Sequence, residues 1–360
     1  MQEHEIPPTP TKGRGAISNL VGRFEAHTRH VIDDGWPRDE EPGRLKTTAT
    51  IDAARTIISR NDSPDVPFDR SINPYRGCEH GCVYCFARPT HAFLGLSPGL
   101  DFETRLFYKP NAAKLLAEEL RRPKYRCDVI AMGTNTDPYQ PIERDHKITR
   151  SILEVLSDFN HPVGIVTKSN LILRDLDILG PMAARGLAQV SISVTTLNRN
   201  LARKLEPRAP TPSRRLEAIR ALADAGIPTG VLAAPMIPGV NDPELETILE
   251  YAGKAGATTA GYILLRLPLE IRDLFEEWLQ SHAPLRADRV MKLMRETRGG
   301  KTNESAFGRR MRGSGPYAEI LAQRFYVAAR RLKLNNERRY DLDITQFARP
   351  PRRGDQLDLF

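Results

Sequence analysis

The chain has 360 residues, a hydrophobic fraction of 40% and a formal net charge of +8 at pH 7, which is enough apolar material for one large folded domain or two smaller ones. No apolar run is long enough to cross a bilayer, and the first residues lack the hydrophobic segment of a signal peptide, which disfavours a membrane-spanning or exported protein. Three of the four cysteines lie within eight residues of one another, which indicates a reducing compartment rather than a disulfide scaffold. We therefore expect a cytoplasmic protein with no membrane partner.

The first part of the chain, residues 1–65, is rich in proline, glycine, arginine and aspartate and holds only short apolar runs. This composition predicts a loosely ordered N-terminal arm that wraps the folded core. Residues 70–75 read as the first strand of that core, and they lead directly into the cysteine cluster. Turn residues within 89–110 indicate an insertion that lies over the site.

The cysteine cluster has the spacing C-x3-C-x2-C, formed by Cys78, Cys82 and Cys85. Thiolate ligands select iron-sulfur clusters, zinc or copper(I) over hard cations. Three cysteines can bind three irons of a [4Fe-4S] cluster, which leaves the fourth iron open to a substrate or cofactor. Two alternatives stay open: a structural zinc site completed by His80 or His91, although no second cysteine pair is evident, and three unligated thiols.

Beyond the cluster, short apolar segments alternate with amphipathic ones. Strands separated by helices form a parallel sheet with the helices outside. With the strand at 70–75, the sequence predicts an α/β fold, a partial (β/α)6 TIM-like barrel that spans residues 66–285 and binds ligands at the carboxyl ends of its strands. The further strands are predicted at 129–132, 163–167, 189–194, 230–236 and 261–265, and the helices at 111–120, 147–159, 174–184, 213–225, 243–255 and 269–279.

Polar or small side chains follow the predicted strands, where a barrel would place its site. A lysine at a barrel mouth indicates an anion, and alternation along the fourth strand turns Ser193 into the barrel. Ordinary capping or packing is the alternative role for each of these residues. They are Thr134, Asn135 and Thr136 after the second strand, Lys168 after the third, Ser193 and Glu206 at and beyond the end of the fourth, and Ala234 near the end of the fifth.

The cysteine spacing and the aromatic Tyr84 before the last cysteine resemble the cluster loop of the radical S-adenosylmethionine (SAM) superfamily, whose pattern is C-x3-C-x-aromatic-C. The resemblance implies a [4Fe-4S] cluster on the three cysteines, SAM at the open iron and the same barrel fold. It also implies cofactor-binding roles beside that of Tyr84. These are Thr134, Asn135 and Thr136 in place of the motif that holds the SAM amino group, Lys168 and Ser193 for the carboxylate, Glu206 for the ribose and Ala234 for the adenine.

Five short motifs resemble the spore photoproduct lyase branch of that superfamily in order and spacing, over roughly residues 70 to 270. They are Val166-Thr167-Lys168, Ser191-Ile192-Ser193, Glu206-Pro207, Arg214-Arg215 and Ala234-Pro235. That branch splits a thymine dimer and uses a cysteine of the second-strand loop as hydrogen donor. Gly133 or Thr134 holds that place here, and the spare Cys127 precedes the strand and is predicted to be a buried core residue.

The resemblance predicts an enzyme that cleaves SAM to a 5'-deoxyadenosyl radical and abstracts hydrogen from its substrate, with flavodoxin or ferredoxin as electron donor. DNA is the first candidate substrate, in a reaction that resembles a repair lyase. Modification of RNA or of a peptide by the same radical is an alternative. A binding module with iron-sulfur or zinc but without catalysis is another, since a motif alone does not fix function.

The C-terminal region, residues 286–347, is predicted to be helical and basic. From residue 286 onward there are 18 lysines and arginines against 9 acidic residues. A basic residue at every third position gives a cationic stripe on a helix, which suits the phosphates of a nucleic acid, although a solvated helix face is the alternative. The stripe consists of Arg286, Arg289, Lys292, Arg295 and Arg298.

Residues 348–360 read as a flexible tail, rich in proline and arginine, with apolar anchors at its end. The last five residues resemble the short motif by which bacterial DNA repair and replication proteins bind the sliding clamp. Exposed terminal apolar side chains otherwise have nothing downstream to cover them. The alternative is a tail that folds back on its own domain. The motif consists of Gln356, Leu357, Asp358, Leu359 and Phe360.

Overall fold

The computed structural model describes residues 10–25, 45–336 and 341–351. Within these ranges, none of the helices is long and apolar enough to cross a membrane. The strands are β1 (Thr48–Ile51), β2 (Ile58–Arg60), β3 (Arg70–Ile72), β4 (Tyr75–Arg76), β5 (Arg105–Tyr108), β6 (Ile130–Met132), β7 (Val163–Thr167), β8 (Ala188–Ser193), β9 (Thr229–Met236) and β10 (Thr259–Leu264). The α-helices are α1 (Asp101–Thr104), α2 (Ala112–Leu120), α3 (Glu143–His146), α4 (Ile148–Asp158), α5 (Leu176–Ala184), α6 (Arg199–Leu205), α7 (Pro212–Asp224), α8 (Leu245–Lys254), α9 (Ile271–His282), α10 (Pro284–Glu296) and α11 (Pro316–Arg331).

The main sheet has seven strands in the order β10-β9-β8-β7-β6-β3-β2. Six of them, from β10 to β3, are parallel neighbours, whereas β2 pairs antiparallel with β3 at the edge. In the described chain no strand pairing joins β10 to β2, so the sheet stays open. The predicted α/β fold, a partial (β/α)6 barrel, is confirmed, and all six predicted strands are present with small shifts at their ends.

The sheet buries one face against the surrounding helices and leaves the other face more open. In β7, Val163 and Ile165 are buried, whereas Gly164 and Val166 between them are partly exposed. This alternation follows from the two-residue period of a strand. Helix α4 covers the buried face with apolar side chains, and each fully buried aliphatic side chain is worth about 2 kcal/mol. The partly exposed face is the concave side of the barrel, which leads to the carboxyl ends of the strands.

A second sheet of three strands lies next to the cysteine cluster. Its order is β1-β5-β4, with β1 parallel and β4 antiparallel to β5. Strand β4 ends at Arg76, directly before Gly77 of the cysteine loop. Strands β1 and β2 both fall within the predicted N-terminal arm, so this part of the chain contributes to both sheets.

The C-terminal residues 341–351 pack back on the barrel. The Phe347 ring contacts the rings of Tyr125, Phe159 and His161, and the Ala348 amide donates to the Phe159 carbonyl at 3.0 Å. The first residues of the predicted flexible tail are therefore hydrogen-bonded to the domain. The predicted clamp motif at 356–360 lies outside the described residues.

The buried His161 makes stability depend on pH. Its Nδ1 lies 3.0 Å from the Pro162 carbonyl and its Nε2 lies 2.7 Å from the Tyr125 hydroxyl. Burial lowers the pKa of His161 from 6.5 to about 4, with Arg70 adding to the effect and Asp128 opposing it. The unfolded chain therefore takes up this proton first, so the stabilising contribution is complete above pH 6.5 and is lost as the pH falls toward 4.

We expect the free energy of unfolding to fall by about 2 kcal/mol between about pH 7 and about pH 4.5 through His161 alone. Urea unfolding of wild type and His161→Gln at the two pH values measures this. The variant will be less stable at neutral pH and will lose less on acidification. An equal loss in both proteins would assign the acid sensitivity to other groups.

Candidate functional site

Two glycines allow the cysteine loop to turn as it does. Gly77 and Gly81 have φ angles of +74° and +67°, a left-handed conformation that strains other residues. Close neighbours also exclude a side chain, because a Cβ at Gly77 would lie 2.6 Å from Leu106 Cδ2 and a Cβ at Gly81 would lie 2.6 Å from Glu103 Oε2. The loop is therefore tightly enclosed on both sides.

A buried ion pair holds the cysteine loop from behind. The Cys78 amide donates to the Phe102 carbonyl at 2.9 Å. Arg88 is completely buried and donates from Nε to the Cys82 carbonyl at 2.8 Å. Its Nη2 donates to the carboxylate of Glu103, whose side chain is also completely buried. Removing either charge would leave the other buried without its counterion, so this pair fixes the backbone that carries the cysteines.

The N-terminal segment 10–25 covers the cysteine loop on the side where the Arg88–Glu103 ion pair lies. The amides of Gly15 and Ala16 donate to the Glu103 carboxylate at 2.9 and 2.8 Å. Gly15 lies so close to the cysteine loop that a Cβ there would be 1.7 Å from the Gly81 carbonyl oxygen. This segment therefore shields the back of the loop, and only glycine fits at position 15.

Gly15→Ala is expected to displace the segment 10–25, since the clash is with backbone that cannot rotate away. We expect the visible absorbance of the reconstituted cluster to bleach about tenfold faster in air. Removing groups that support a metal site lowers metal affinity or activity by about 10- to 100-fold, and this expectation takes the lower end of that range. Gly180→Ala is the matched control, because a Cβ at Gly180 in α5 meets nothing within 4 Å. Equal bleaching of both variants and wild type would show that the segment does not protect the cluster.

The three thiols fit an iron-sulfur cluster better than a single metal ion. Cys78 and Cys82 are buried and Cys85 is partly buried. Burial raises the pKa of Cys82 to about 12 and also raises the pKa values of Cys78 and Cys85, so a strongly electropositive group must bind for them to become thiolates. Among the described residues, no three His, Cys, Asp or Glu side chains are grouped as a single metal ion requires. In a [4Fe-4S] cluster each of the three cysteines binds a different iron, which fits three thiols carried on one loop.

A network of charged side chains lies beside the cysteine loop, centred on Glu206. Its Oε1 accepts hydrogen bonds from Tyr84 and from Thr195 Oγ1, the latter at 2.6 Å, and lies 4.0 Å from Lys168 Nζ. Its Oε2 accepts from Arg215, and the side chains of these two residues are 0% and 2% exposed. Burial opposes ionisation of Glu206, but Arg215 and Lys168 outweigh it and lower the pKa to about 2. The carboxylate therefore stays charged and holds Tyr84 and Lys168 in place.

The loop after β6 meets the loop after β7 through Asp137. This carboxylate accepts from Thr167 Oγ1 at 2.6 Å and from the Lys168 amide at 2.8 Å, and His80 Nδ1 lies 3.3 Å away. Burial opposes ionisation, but His80 and these hydrogen bonds lower the pKa of Asp137 to about 2. Asp137 thus connects the cysteine loop to the strand end that carries Lys168.

Two further amide side chains organise the site. Asn73, directly after β3, accepts from the Asn135 amide at 3.1 Å. Gln140 accepts from the Glu79 amide at 2.9 Å and donates to the Gly77 carbonyl at 3.1 Å. Sequence analysis did not select Asn73, Asp137 or Gln140 as site residues. Asp137 and Gln140 lie in the polar loop after the second predicted strand, which was the available signal, whereas Asn73 fell inside the strand predicted at 70–75.

Several predicted cofactor-binding residues do lie together at the carboxyl end of the sheet. Lys168 Nζ is 5.9 Å from the centre of the Tyr84 ring, and the Ala234 carbonyl accepts from Thr195 Oγ1 of the Glu206 network at 3.0 Å. Ser193 is buried, and its carbonyl accepts from Arg215 at 3.1 Å. The partly exposed residues of the set are Thr134, Asn135, Lys168 and Ala234.

Two predicted contacts differ from expectation because the side chains face the protein. Thr136 is 3% exposed, and its hydroxyl donates at 3.1 Å to the carbonyl of Tyr75 in β4. Glu206 is enclosed by Tyr84, Thr195 and Arg215, as described above, rather than presented to a ribose. Both residues support the site through other residues.

Four of the five members of the predicted basic stripe lie exposed on α10. Helix α10 ends at Glu296, and Arg298 beyond it is 1% exposed. Its guanidinium donates to the carbonyls of Leu264 and Leu265 at 3.0 and 2.6 Å, so it cannot meet a phosphate. The exposed members of the stripe are Arg286, Arg289, Lys292 and Arg295.

Comparison with known families decides the class of this site. The model of the radical SAM superfamily matches residues 72–252, half of the chain. The match includes the cysteine loop and four of the six parallel strands in the main sheet, β6 to β9. The chain belongs to the radical SAM superfamily. An uncharacterized protein of Mycobacterium tuberculosis is 38% identical over 232 residues, 64% of this chain and 68% of that protein. An uncharacterized protein of Methanocaldococcus jannaschii is 29% identical over 213 residues, 59% of this chain and 76% of that protein.

Solved structures of spore photoproduct lyase share the fold. One variant superposes with a TM-score of 0.56 and 17% identity, over 79% of both chains. The structure complexed with dinucleoside spore photoproduct gives a TM-score of 0.56 and 16% identity, over 82% of this chain and 84% of that one. A further variant structure contains bound S-adenosylmethionine. This radical SAM enzyme therefore has a fold of the spore photoproduct lyase type, and its superfamily implies a [4Fe-4S] cluster and SAM as cofactors.

Proposed function

We propose that this radical SAM enzyme abstracts hydrogen from a base or a lesion in DNA, in a reaction that resembles a repair lyase. The observation that carries the proposal is the loop of Cys78, Cys82 and Cys85, two of them buried, at the mouth of a barrel of the spore photoproduct lyase type. The solved structure of spore photoproduct lyase complexed with dinucleoside spore photoproduct supports a nucleic acid as substrate class.

The residues of this chain bind, orient and shield the cofactors. When bound, the [4Fe-4S] cluster and SAM supply a 5'-deoxyadenosyl radical. In this proposal the Lys168 ammonium, with 18% of its side chain exposed, binds the SAM carboxylate. The Glu206 network orients Lys168 and Tyr84, and Asp137 holds the Lys168 backbone. Arg88, Glu103 and the segment 10–25 keep water from the back of the cysteine loop.

The second-strand loop distinguishes this chain from the spore photoproduct lyase branch. Gly133 has a φ angle of +84°, and a Cβ there would lie 1.9 Å from the Val166 carbonyl oxygen. A cysteine at Gly133 would not fit. Thr134 is the next residue after Gly133, and Cys127 lies before the strand. No cysteine therefore takes the place of the hydrogen donor of the lyase branch. The reaction returns hydrogen from another source or not at all.

Three partners complete the proposal. Flavodoxin or ferredoxin delivers the electron, and Cys85 is the most accessible of the three cysteines. The exposed basic residues of α10, from Arg286 to Arg295, attract a nucleic acid backbone. The motif from Gln356 to Phe360 recruits the enzyme to the bacterial sliding clamp, which a clamp pull-down with Leu359 and Phe360 replaced by alanine would test.

The test is the formation of 5'-deoxyadenosine from SAM by the anaerobically reconstituted and reduced enzyme. Ultraviolet-irradiated DNA, undamaged DNA, RNA and a peptide mixture are compared as additions. We expect irradiated DNA to raise the rate the most, with matching loss of a lesion detected by mass spectrometry. Stimulation by RNA or peptide alone would move the substrate to those classes. Absence of the product with cluster and SAM both bound under every condition would contradict the catalytic proposal.

A further inference from the structure

Residues 298–312 form a segment, here called the strap, that is fixed to the free edge of β10. The Leu264 amide at the end of β10 donates to the Met311 carbonyl at 2.9 Å. Arg298 donates to the carbonyls of Leu264 and Leu265 and also to that of Arg310 at 2.8 Å. The strap therefore follows the barrel edge in a defined conformation.

The other side of the strap is bound to the opposite edge of the sheet. The Gly308 amide donates to Asp65 Oδ1 at 2.6 Å, and the Arg310 guanidinium donates to the Asp65 carboxylate and the Ser63 hydroxyl. Asp65 and Ser63 belong to the connection between β2 and β3. Since β10 and β2 are the two edges of the open sheet, the strap bridges the gap that keeps the barrel from closing.

Positive charge is concentrated at this bridge. The strap has five basic residues and one acidic residue. Next to it, at the carboxyl end of β10, the half-buried Arg266 has an Nε atom with no hydrogen-bond partner among the described residues. Burial and the nearby Arg310 lower the pKa of Arg266, with Asp65 opposing. Asp65 is already bound by Arg310, and Glu304 lies 4.0 Å from Arg309, so among the described residues positive charge stays in excess here and favours an anion.

An exposed aromatic ring lies among these charges. Phe307 is 55% exposed, and the Arg310 guanidinium lies 4.7 Å from the centre of its ring. Arg309 and Arg312 on the same strap are exposed. Basic side chains interleaved with an accessible aromatic ring suit single-stranded nucleic acid, whose unpaired bases stack on aromatic rings while arginines bind the phosphates.

We infer that the strap is a binding surface for single-stranded nucleic acid, which it guides into the barrel. Phe307 stacks on a base that flanks the target, while Arg309 and Arg312 bind neighbouring phosphates. The inference rests on the proposed nucleic-acid substrate and deepens it. A base must leave its stack before a group inside a barrel can react with it, so a platform that holds the flanking nucleotides belongs at the barrel edge.

The test measures the affinity of the reconstituted enzyme for a short fluorescein-labelled single-stranded DNA by fluorescence anisotropy over a range of salt concentrations. We expect Phe307→Ala to weaken binding about tenfold without changing the salt dependence, because stacking does not release counterions. Arg309→Gln is expected to lower the slope of log Kd against log salt by about 0.7, the value for one phosphate contact on a single strand.

Matched controls have the same residue types elsewhere on the surface. Phe93→Ala removes a ring that is 70% exposed, and Arg272→Gln removes a guanidinium from a side chain that is 50% exposed. Both are expected to bind as wild type does. All variants are compared for cluster content and thermal unfolding, which substitutions of exposed residues leave nearly unchanged.

The experiment gives different results if the strap is not the binding surface and if the substrate is not a nucleic acid. If wild type binds the oligonucleotide and both strap variants bind equally well, the strap is not the binding surface, although the nucleic-acid function stands. If wild type forms 5'-deoxyadenosine from SAM but binds no oligonucleotide, both proposals are wrong. Displacement of the oligonucleotide from the strap by an acidic peptide at equal concentration would also overturn the inference, since it would show simple anion binding.

Discussion

Cys82→Ala protein, reconstituted anaerobically with iron and sulfide, is expected to stay folded and to lose 5'-deoxyadenosine formation by more than about 100-fold. That bound is conservative, since loss of groups that only support a metal ligand already costs about 10- to 100-fold. Cys82 is central in the loop, where it is 8% exposed and its carbonyl is fixed by Arg88. The iron content and the visible absorbance are expected to fall with the activity.

Cys127→Ala is the control for this experiment, because it removes the fourth cysteine and leaves the loop intact. Cys127 is partly exposed rather than a buried core residue as predicted. It is expected to keep the wild-type iron content and rate. Full activity in Cys82→Ala would contradict the assignment of the cluster to this loop. A zinc-loaded, colourless wild type with the expected metal content would instead support a binding module without radical chemistry.

The fold could be predicted from the sequence because its signals are local. Buried parallel strands need short apolar segments, and the residues at 163–167 and 230–236 have this character between clear turns. The signal of the cysteine loop is local too, because its three cysteines lie within eight residues of the chain. The exact ends of the strands could not be predicted, because hydrogen-bond pairing, which the sequence does not show, decides where a ladder begins and ends.

The side-chain network of the site could not be predicted in the same way. Tyr84 and Glu206 are 122 residues apart in the chain, and only the fold brings them into hydrogen-bond contact. The basic stripe shows the opposite error, because a regular spacing was extended past the end of α10. Arg298 lies beyond Glu296, the last residue of α10, so its side chain does not continue the exposed face of the helix. It donates to backbone carbonyls instead.

The adjacent residues Arg214 and Arg215 of α7 are expected to differ widely in their effect on stability. Neighbouring positions on a helix point about 100° apart, and the two side chains are 65% and 2% exposed. Arg215→Met leaves the Glu206 carboxylate buried with only Lys168, 4.0 Å away, as a cation. Breaking a buried pair by removing one member costs about 3 to 5 kcal/mol, and we expect a loss of this size in the free energy of unfolding.

Arg214→Met is the matched control, since its exposed pair with Glu217 is worth about 0.5 kcal/mol or less. Urea unfolding of both variants, and of the double variant Arg215→Met with Glu206→Gln, separates charge from packing. Because the double variant no longer buries an unpaired carboxylate, it is expected to recover part of the loss. It will not recover SAM binding, because Lys168 and Tyr84 lose the carboxylate that orients them. Equal costs for Arg214→Met and Arg215→Met would mean that the Glu206 network does not hold the site together.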